Sequence, residues 1–385
     1  MKMEYKNTYV NIIGLNSLRQ VFFIGVCMLL NACQSMGPID ASNVQLTEKE
    51  VLSGIKLLGH NVDLQKLPDD HVTTVDEQMK SFVHKNIDSS LTNKKKIEQL
   101  AEIISAQDKL GFTYNTSITQ TAKQAFDRRL GNCLAFSYLF VGLARELGVD
   151  ATYQEVVIPP VWVEGNNRLV YLSRHVNVKA HNRAEKYLVV DVDAIKSRWH
   201  FPMVHISDAE AESLYYNNKG VEFMNGGNVE SAFLYLRKAI DLAPQQAAFW
   251  SNLGILYRRQ GWLEYAEKSY LKALDLDYKN MTVMSNLRTL YEIGKNEEKA
   301  KYLANKVRLH QKKNPYFHYY LAQRSVGEAE YKLALKHIKR AISLNKYAAK
   351  FYTLQLTIYR ELGQSAAAQK TQKILDEMKN DNTKS

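Results

Sequence analysis

Apolar and small residues recur every 34 residues from about residue 208 to the end of the chain. At this period Gly220 aligns with Gly254, and Ala232 aligns with Ala266. Small residues let two helices approach closely, and large apolar residues fill the space between successive helix pairs. The pattern therefore predicts stacked helical repeats over 208–380, which we count as four repeats and a capping helix.

One copy of the repeat has the characteristic residues of a known helical repeat at nearly every position where that repeat has a preferred residue. Its residues are Trp250, Leu253, Gly254, Tyr257, Gly261, Ala266, Tyr270 and Ala273. This copy resembles the tetratricopeptide repeat, and later copies contain fewer of these characteristic residues. The resemblance implies an all-α superhelix whose concave face binds a protein or peptide. The apolar stripes themselves are interpreted as core.

Residues 96–206 show a different pattern, in which helical periodicity gives way to alternation. Apolar residues recur at helical spacing over 95–110, 121–129 and 133–148. Polar and apolar residues then alternate in four short stretches, at 151–158, 169–172, 175–178 and 187–192. The region is therefore predicted to be an α+β domain, a core helix with an antiparallel sheet. Residues 33–95 are predicted to be a tether with helices near 48–58 and 75–86.

The N-terminal segment is typical of an export signal. Arg19 precedes an unbroken apolar run, Val21 to Leu30, which is too short to span a bilayer comfortably. Leu30-Asn31-Ala32-Cys33 follows and resembles the bacterial lipobox. The resemblance implies that 1–32 is a lipoprotein signal peptide and that Cys33 carries a lipid anchor. Gln34, in place of Asp, favours the outer membrane facing the periplasm. An ordinary secretory signal or an uncleaved anchor is the alternative.

Composition narrows the classes of partner. The net charge is +11, but no Arg/Lys cluster alternates with aromatic residues, so a nucleic-acid partner is not predicted. Anionic lipid or cell-wall surfaces, or an evenly solvated basic surface without a partner, fit the charge. The histidines lack the spacing of a metal site, and no phosphate-binding glycine loop occurs, so we predict no metal and no cofactor. The oligomeric state is not predicted.

Cys133 is the only one of three cysteines outside the N-terminal segment. It follows Gly131 and Asn132 and opens an apolar helix. His175 begins a predicted strand, and Asp191 ends the next one. In isolation Cys133 would be interpreted as a small core residue.

The order and spacing of these residues resemble those of the papain-like and transglutaminase-like superfamily, whose core is α+β. Cys133, His175 and Asp191 match the family's Gly-x-Cys, His-x-x-aliphatic and Asp motifs. The resemblance implies a catalytic triad, with Cys133 as nucleophile, His175 as base and then acid, and Asp191 as the residue that orients the imidazole. Asp193 lies on the same face of the strand and is the alternative carboxylate. Val192-Asp193 departs from the common Asp-Pro, and no partner for the oxyanion is identified.

Two functions fit these features. The first is a cysteine acyl-transfer enzyme, a peptidase, amidase or transglutaminase, because a helix N-terminus beside an imidazolium stabilises a thiolate. Hydrolysis is preferred over transfer to an amine. The second is a catalytically inactive scaffold whose repeats assemble an envelope complex. Pro159-Pro160 and Trp162 are predicted to form a loop beside the cleft.

Overall fold

A computed structural model describes residues 45–157, 175–183, 186–192 and 202–381. Several predictions from the sequence lie outside the described residues. These are the signal segment with Cys27 and Cys33, the loop with Pro159, Pro160 and Trp162, the strand at 169–172, and Asp193.

Within the described residues, four α-helices and a short 3-10 helix (Leu64–Lys66) precede the first strand. The α-helices are α1 (Glu48–Leu52), α2 (Ile55–Leu58), α3 (Glu77–Asn86) and α4 (Asn93–Ser105). The single helix predicted near 48–58 is divided at Gly54, which adopts a left-handed conformation with φ of 79°. A Cβ at Gly54 would lie only 2.7 Å from the ring of Phe233. Glycine is therefore required both by the turn and by the close packing against the repeats.

The core helix lies in the middle of a short α/β segment. Strand β1 (Thr113–Tyr114) pairs in parallel with β2 (Leu130–Gly131), and α5 (Ala122–Arg128) lies between them in sequence. Helix α6 (Cys133–Glu146) follows β2 directly. It is buried along almost its whole length, which explains why its sequence is apolar on all sides.

Four strands of the described part of the chain form one antiparallel sheet in the order β5-β4-β3-β6. They are β3 (Ala151–Val156), β4 (His175–Arg183), β5 (Lys186–Val190) and β6 (Met203–Ile206). Alternation in the sequence predicted the first three, but not β6, which has four residues of which two are exposed. Val176 and Val178 of β4 and Leu188 of β5 join the core around α6. A core helix and an antiparallel sheet are thus both present.

Ten helices follow within the described residues and form five consecutive pairs. They are α7 (Asp208–Asn225), α8 (Val229–Leu242), α9 (Ala247–Arg259), α10 (Leu263–Leu276), α11 (Met281–Ile293), α12 (Glu297–Lys313), α13 (Pro315–Gly327), α14 (Tyr331–Leu344), α15 (Ala349–Glu361) and α16 (Ser365–Asp381). The count of four repeats and a capping helix is wrong, because α15 and α16 make a complete fifth pair.

The small residues of the repeats lie where the two helices of a pair touch. A Cβ at Gly254 would lie 2.6 Å from the ring of Tyr270, and one at Gly220 would lie 2.8 Å from Leu236 Cγ. Ala266 is completely buried. The 34-residue period is therefore a packing requirement, as the sequence analysis predicted.

The hydrophobic core continues across the predicted domain boundaries. One cluster runs from Val51 to Val307, so it includes the N-terminal helices, the sheet and the first three helix pairs. The Tyr257 hydroxyl donates to the Val51 carbonyl at 2.5 Å. The Asp70 carboxylate accepts hydrogen bonds from Tyr215 and Tyr235. The N-terminal helices thus pack on the repeats as well as on the α+β region. None of the helices in the described residues has the length and apolar character needed to cross a bilayer.

Candidate functional site

Cys133 occupies the first position of α6. Asn132 is the N-cap, and its side-chain oxygen accepts from the Ala135 backbone N–H at 3.1 Å. A Cβ at Gly131 would lie 2.5 Å from Ala135 Cβ, so glycine lets β2 turn directly into the helix. The first N–H groups of a helix have no partner within it. The Cys133 N–H therefore lies at the positive end of the helix dipole, beside its own thiol.

His175 and Asp191 are in contact. His175 Nε2 donates to Asp191 Oδ2 at 2.7 Å, and the exposed fractions of the two residues are only 2% and 7%. Asp191 follows β5 directly, and the last pair of the β4–β5 register is Val178 with Val190. The register therefore brings the end of β5 beside the start of β4, although the two residues are 16 positions apart in sequence.

The Cys133 thiol is the third group at this site and lies beside His175. The thiol lies close enough to His175 to raise the pKa of the imidazole, and Cys133 is 6% exposed. Because Nε2 of His175 is hydrogen-bonded to Asp191, Nδ1 is the ring nitrogen that remains available to the thiol. The structure thus brings together Cys133, His175 and Asp191, the three residues predicted from the sequence as a candidate triad.

The surroundings of His175 favour its charged form. Burial alone would lower the pKa of this imidazole, but the hydrogen bonds and charges of Asp191 and Cys133 outweigh burial and raise the pKa to about 9. His175 is therefore an imidazolium at neutral pH. The charged ring lies beside the Cys133 thiol, at the N-terminus of α6.

Asn177 was not identified from the sequence. Its side-chain Nδ2 donates to Asp191 Oδ2 at 3.4 Å, and the residue is 2% exposed. The available signal was its position two residues after His175, because residues i and i+2 of a strand share a face. Among the described residues, no group of three or more His, Cys, Asp or Glu side chains is arranged to hold a metal ion.

The first repeat and the N-cap of the core helix both contact the loop between β1 and α5. Thr119 Oγ1 accepts from Asn132 Nδ2 at 2.7 Å and from Asn218 Nδ2 at 3.2 Å. Asn132 caps the helix of Cys133, and Asn218 belongs to α7. A single hydroxyl thus links the candidate site to the repeats.

Comparison with known proteins identifies the repeats. The tetratricopeptide repeat model matches residues 214–246 and 247–280, and this confirms the predicted repeats. Among solved structures, the chain is similar to pilF of Pseudomonas aeruginosa, with 18% identity, 45% of this chain and 78% of that chain covered, and a TM-score of 0.26. It is also similar to MamA from Desulfovibrio magneticus RS-1, with 15% identity, 46% and 97% coverage, and a TM-score of 0.25. No curated protein sequence matches the chain. Tetratricopeptide arrays generally bind protein partners, so the match favours a role in protein–protein interaction.

Proposed function

We propose that the chain is a cysteine acyl-transfer enzyme whose repeats recruit a protein substrate or partner. One observation carries the proposal: the His175 imidazole contacts the Asp191 carboxylate at 2.7 Å and interacts with the Cys133 thiol, which lies at the N-terminus of α6. The α+β core and the family resemblance of these residues support the same activity.

The geometry suits a two-step reaction on an amide or peptide. The Cys133 thiolate attacks the carbonyl carbon, and the Cys133 N–H stabilises the oxyanion. The C–N bond then breaks, and the His175 imidazolium gives its proton to the leaving amine. This leaves a thioester on Cys133 and a neutral imidazole.

Water is the proposed acceptor in the second step. His175 takes a proton from water as the oxygen attacks the thioester carbonyl, and the C–S bond breaks to release a carboxylic acid and the thiolate. Asp191 holds the imidazole in one orientation through both steps. An amine in place of water would give transfer instead of hydrolysis.

Thiol reactivity tests the enzyme proposal. The rate of iodoacetamide alkylation at Cys133 is measured in the full chain from pH 6 to 9 and quantified by peptide mass mapping, which separates Cys133 from Cys27 and Cys33. An unperturbed thiol is only about 3% ionised at pH 7, so loss of the imidazolium in His175→Ala should slow alkylation by up to about thirtyfold. His181→Ala is the matched control, because His181 lies on the same strand but contacts Tyr187. Its rate should equal that of the wild type.

A scaffold without catalysis is the second candidate. The family match falls on the repeats, beginning at residue 214, and so favours this candidate over the enzyme. If Cys133 resists alkylation across pH 6 to 9 and His175→Ala changes nothing, the enzyme proposal fails and the scaffold remains. A Cys133→Ala variant also retains a bound substrate without turning it over, and mass spectrometry of what co-purifies with it would identify the substrate class.

The proposed location is the periplasmic face of the outer membrane, through a lipid on Cys33. Cys33→Ser should abolish incorporation of labelled fatty acid and release the protein from membranes. Cys27→Ser should leave both unchanged, because Cys27 belongs to the proposed signal peptide. Unchanged labelling of Cys33→Ser would exclude the anchor.

A further inference from the structure

We propose that Asn177 is a positioning residue of the candidate site, which holds the Asp191 carboxylate against His175. The inference rests on the proposed function, because it assigns a role within the same site. It concerns a second polar side chain that reaches Asp191 from the strand that carries His175.

Asp191 directly follows strand β5, whose ladder with β4 extends to the pair Val178–Val190. Asp191 Oδ2 accepts from His175 Nε2 at 2.7 Å and from Asn177 Nδ2 at 3.4 Å.

The position of Asn177 suits this role. Asn177 and His175 share one face of β4, while Val176 and Val178 point to the other face and join the core. The two donors thus approach the same carboxylate oxygen from one strand, and the spacing between them is set by the strand. Nδ2 of Asn177 also lies 3.9 Å from Met203 Sδ on β6.

An amide is the appropriate group at this position. It donates to a carboxylate but does not titrate, so it supports the charge of Asp191 without competing for the proton of His175. The same side chain is costly for the fold. Asn177 is 2% exposed, and its Oδ1 has no hydrogen-bond partner within the described residues. A buried side chain that is only partly satisfied destabilises a fold, and an apolar residue would avoid this cost.

A double-mutant cycle on the pH profile of Cys133 alkylation tests the inference. The full-length wild type, Asn177→Leu, Asp191→Asn and the double variant are compared, with alkylation assigned by peptide mass mapping. Asn177→Leu should move the pH of half-maximal alkylation upward by about half a unit to one unit, because a less firmly held Asp191 supports the imidazolium less well. Asp191→Asn should produce a larger shift. The double variant should match Asp191→Asn alone, because Asn177 acts only through Asp191.

Gln154→Leu is the matched control. Gln154 lies opposite Asn177 on β3, is also buried, and has an unpaired Oε1 within the described residues. It should leave the pH profile unchanged. If Asn177→Leu fails to fold, as judged by circular dichroism, Asn177→Ser is measured instead, since the shorter side chain keeps a polar group but withdraws the amide.

The outcomes separate the two proposals. Three results would each overturn the role of Asn177 and leave the enzyme proposal standing. The first is an unshifted pH profile for Asn177→Leu, and the second is an equal further shift when Asn177→Leu is added to Asp191→Asn. The third is the same shift in Gln154→Leu. A His175→Ala profile identical to that of the wild type would instead overturn the proposed function, and this inference with it.

Discussion

Replacing Asp191 with Asn should change how the stability of the protein depends on pH. The substitution keeps the shape of the side chain but removes the charge that lies 2.7 Å from His175 Nε2. In the wild type the pKa of His175 is raised from 6.5 to about 9, against the effect of burial. Without the Asp191 charge, burial should lower this pKa from about 9, opposed only by the remaining interaction with Cys133.

The size of the effect follows from linkage between protonation and folding. A shift of about 2.5 units corresponds to about 3 kcal/mol, at 1.36 kcal/mol per unit. Because the pKa is raised in the folded state, this stabilisation is complete below pH 6.5 and is lost as the pH rises through about 9. The free energy of unfolding of the wild type should therefore exceed that of Asp191→Asn most at pH 6. By pH 9.5 the difference should shrink by up to about 3 kcal/mol, because Cys133 supplies part of the raised pKa of His175.

Two measurements check this prediction. Urea unfolding at pH 6 and pH 9.5 gives the difference in free energy, and an NMR titration of the His175 ring gives the pKa directly. A His175 that titrates at or below pH 6.5 in the wild type would refute the reasoning. So would a difference in unfolding free energy that stays constant or grows as the pH rises.

Two further predictions concern packing, and both are measured by urea unfolding of the full chain. Tyr138 and Tyr153 are both fully buried, but the Tyr138 hydroxyl donates to the Ala211 carbonyl at 2.7 Å, while the Tyr153 hydroxyl has no partner within the described residues. Tyr138→Phe should therefore destabilise the protein by about 0.5 to 1.5 kcal/mol, whereas Tyr153→Phe should be neutral or stabilising; equal destabilisation by both would contradict this account. Gly254→Ala should cost about 1 to 3 kcal/mol because its Cβ would meet the Tyr270 ring at 2.6 Å. Gly327→Ala should stabilise the protein by about 0.5 to 1 kcal/mol, because no atom lies within 4 Å of the added Cβ. A loss of stability in Gly327→Ala would contradict this explanation, which makes the cost at Gly254 depend on the Tyr270 ring.

The sequence was sufficient wherever the cause of the structure is local. The 34-residue period predicted the helix pairs, because each small residue must recur where two helices of one pair meet, as Gly254 meets Tyr270. The start of α6 at Cys133 was predictable for the same reason, since Gly131 and Asn132 supply the turn and the cap beside it. The strands that carry His175 and the residues before Asp191 followed from alternation.

Only the tertiary structure could decide which of these elements meet. Contact between His175 and Asp191 depends on the β4–β5 register, and a shift of one residue would turn either side chain to the opposite face. Asn177 gains its contact through that register, so its sequence position alone could not distinguish it from an ordinary strand residue. Strand β6 is too short to show a pattern and forms because β3 offers it a partner. The continuous core from Val51 to Val307 likewise depends on contacts between residues far apart in sequence, such as Tyr257 with Val51, and such contacts leave no periodic signal along the chain.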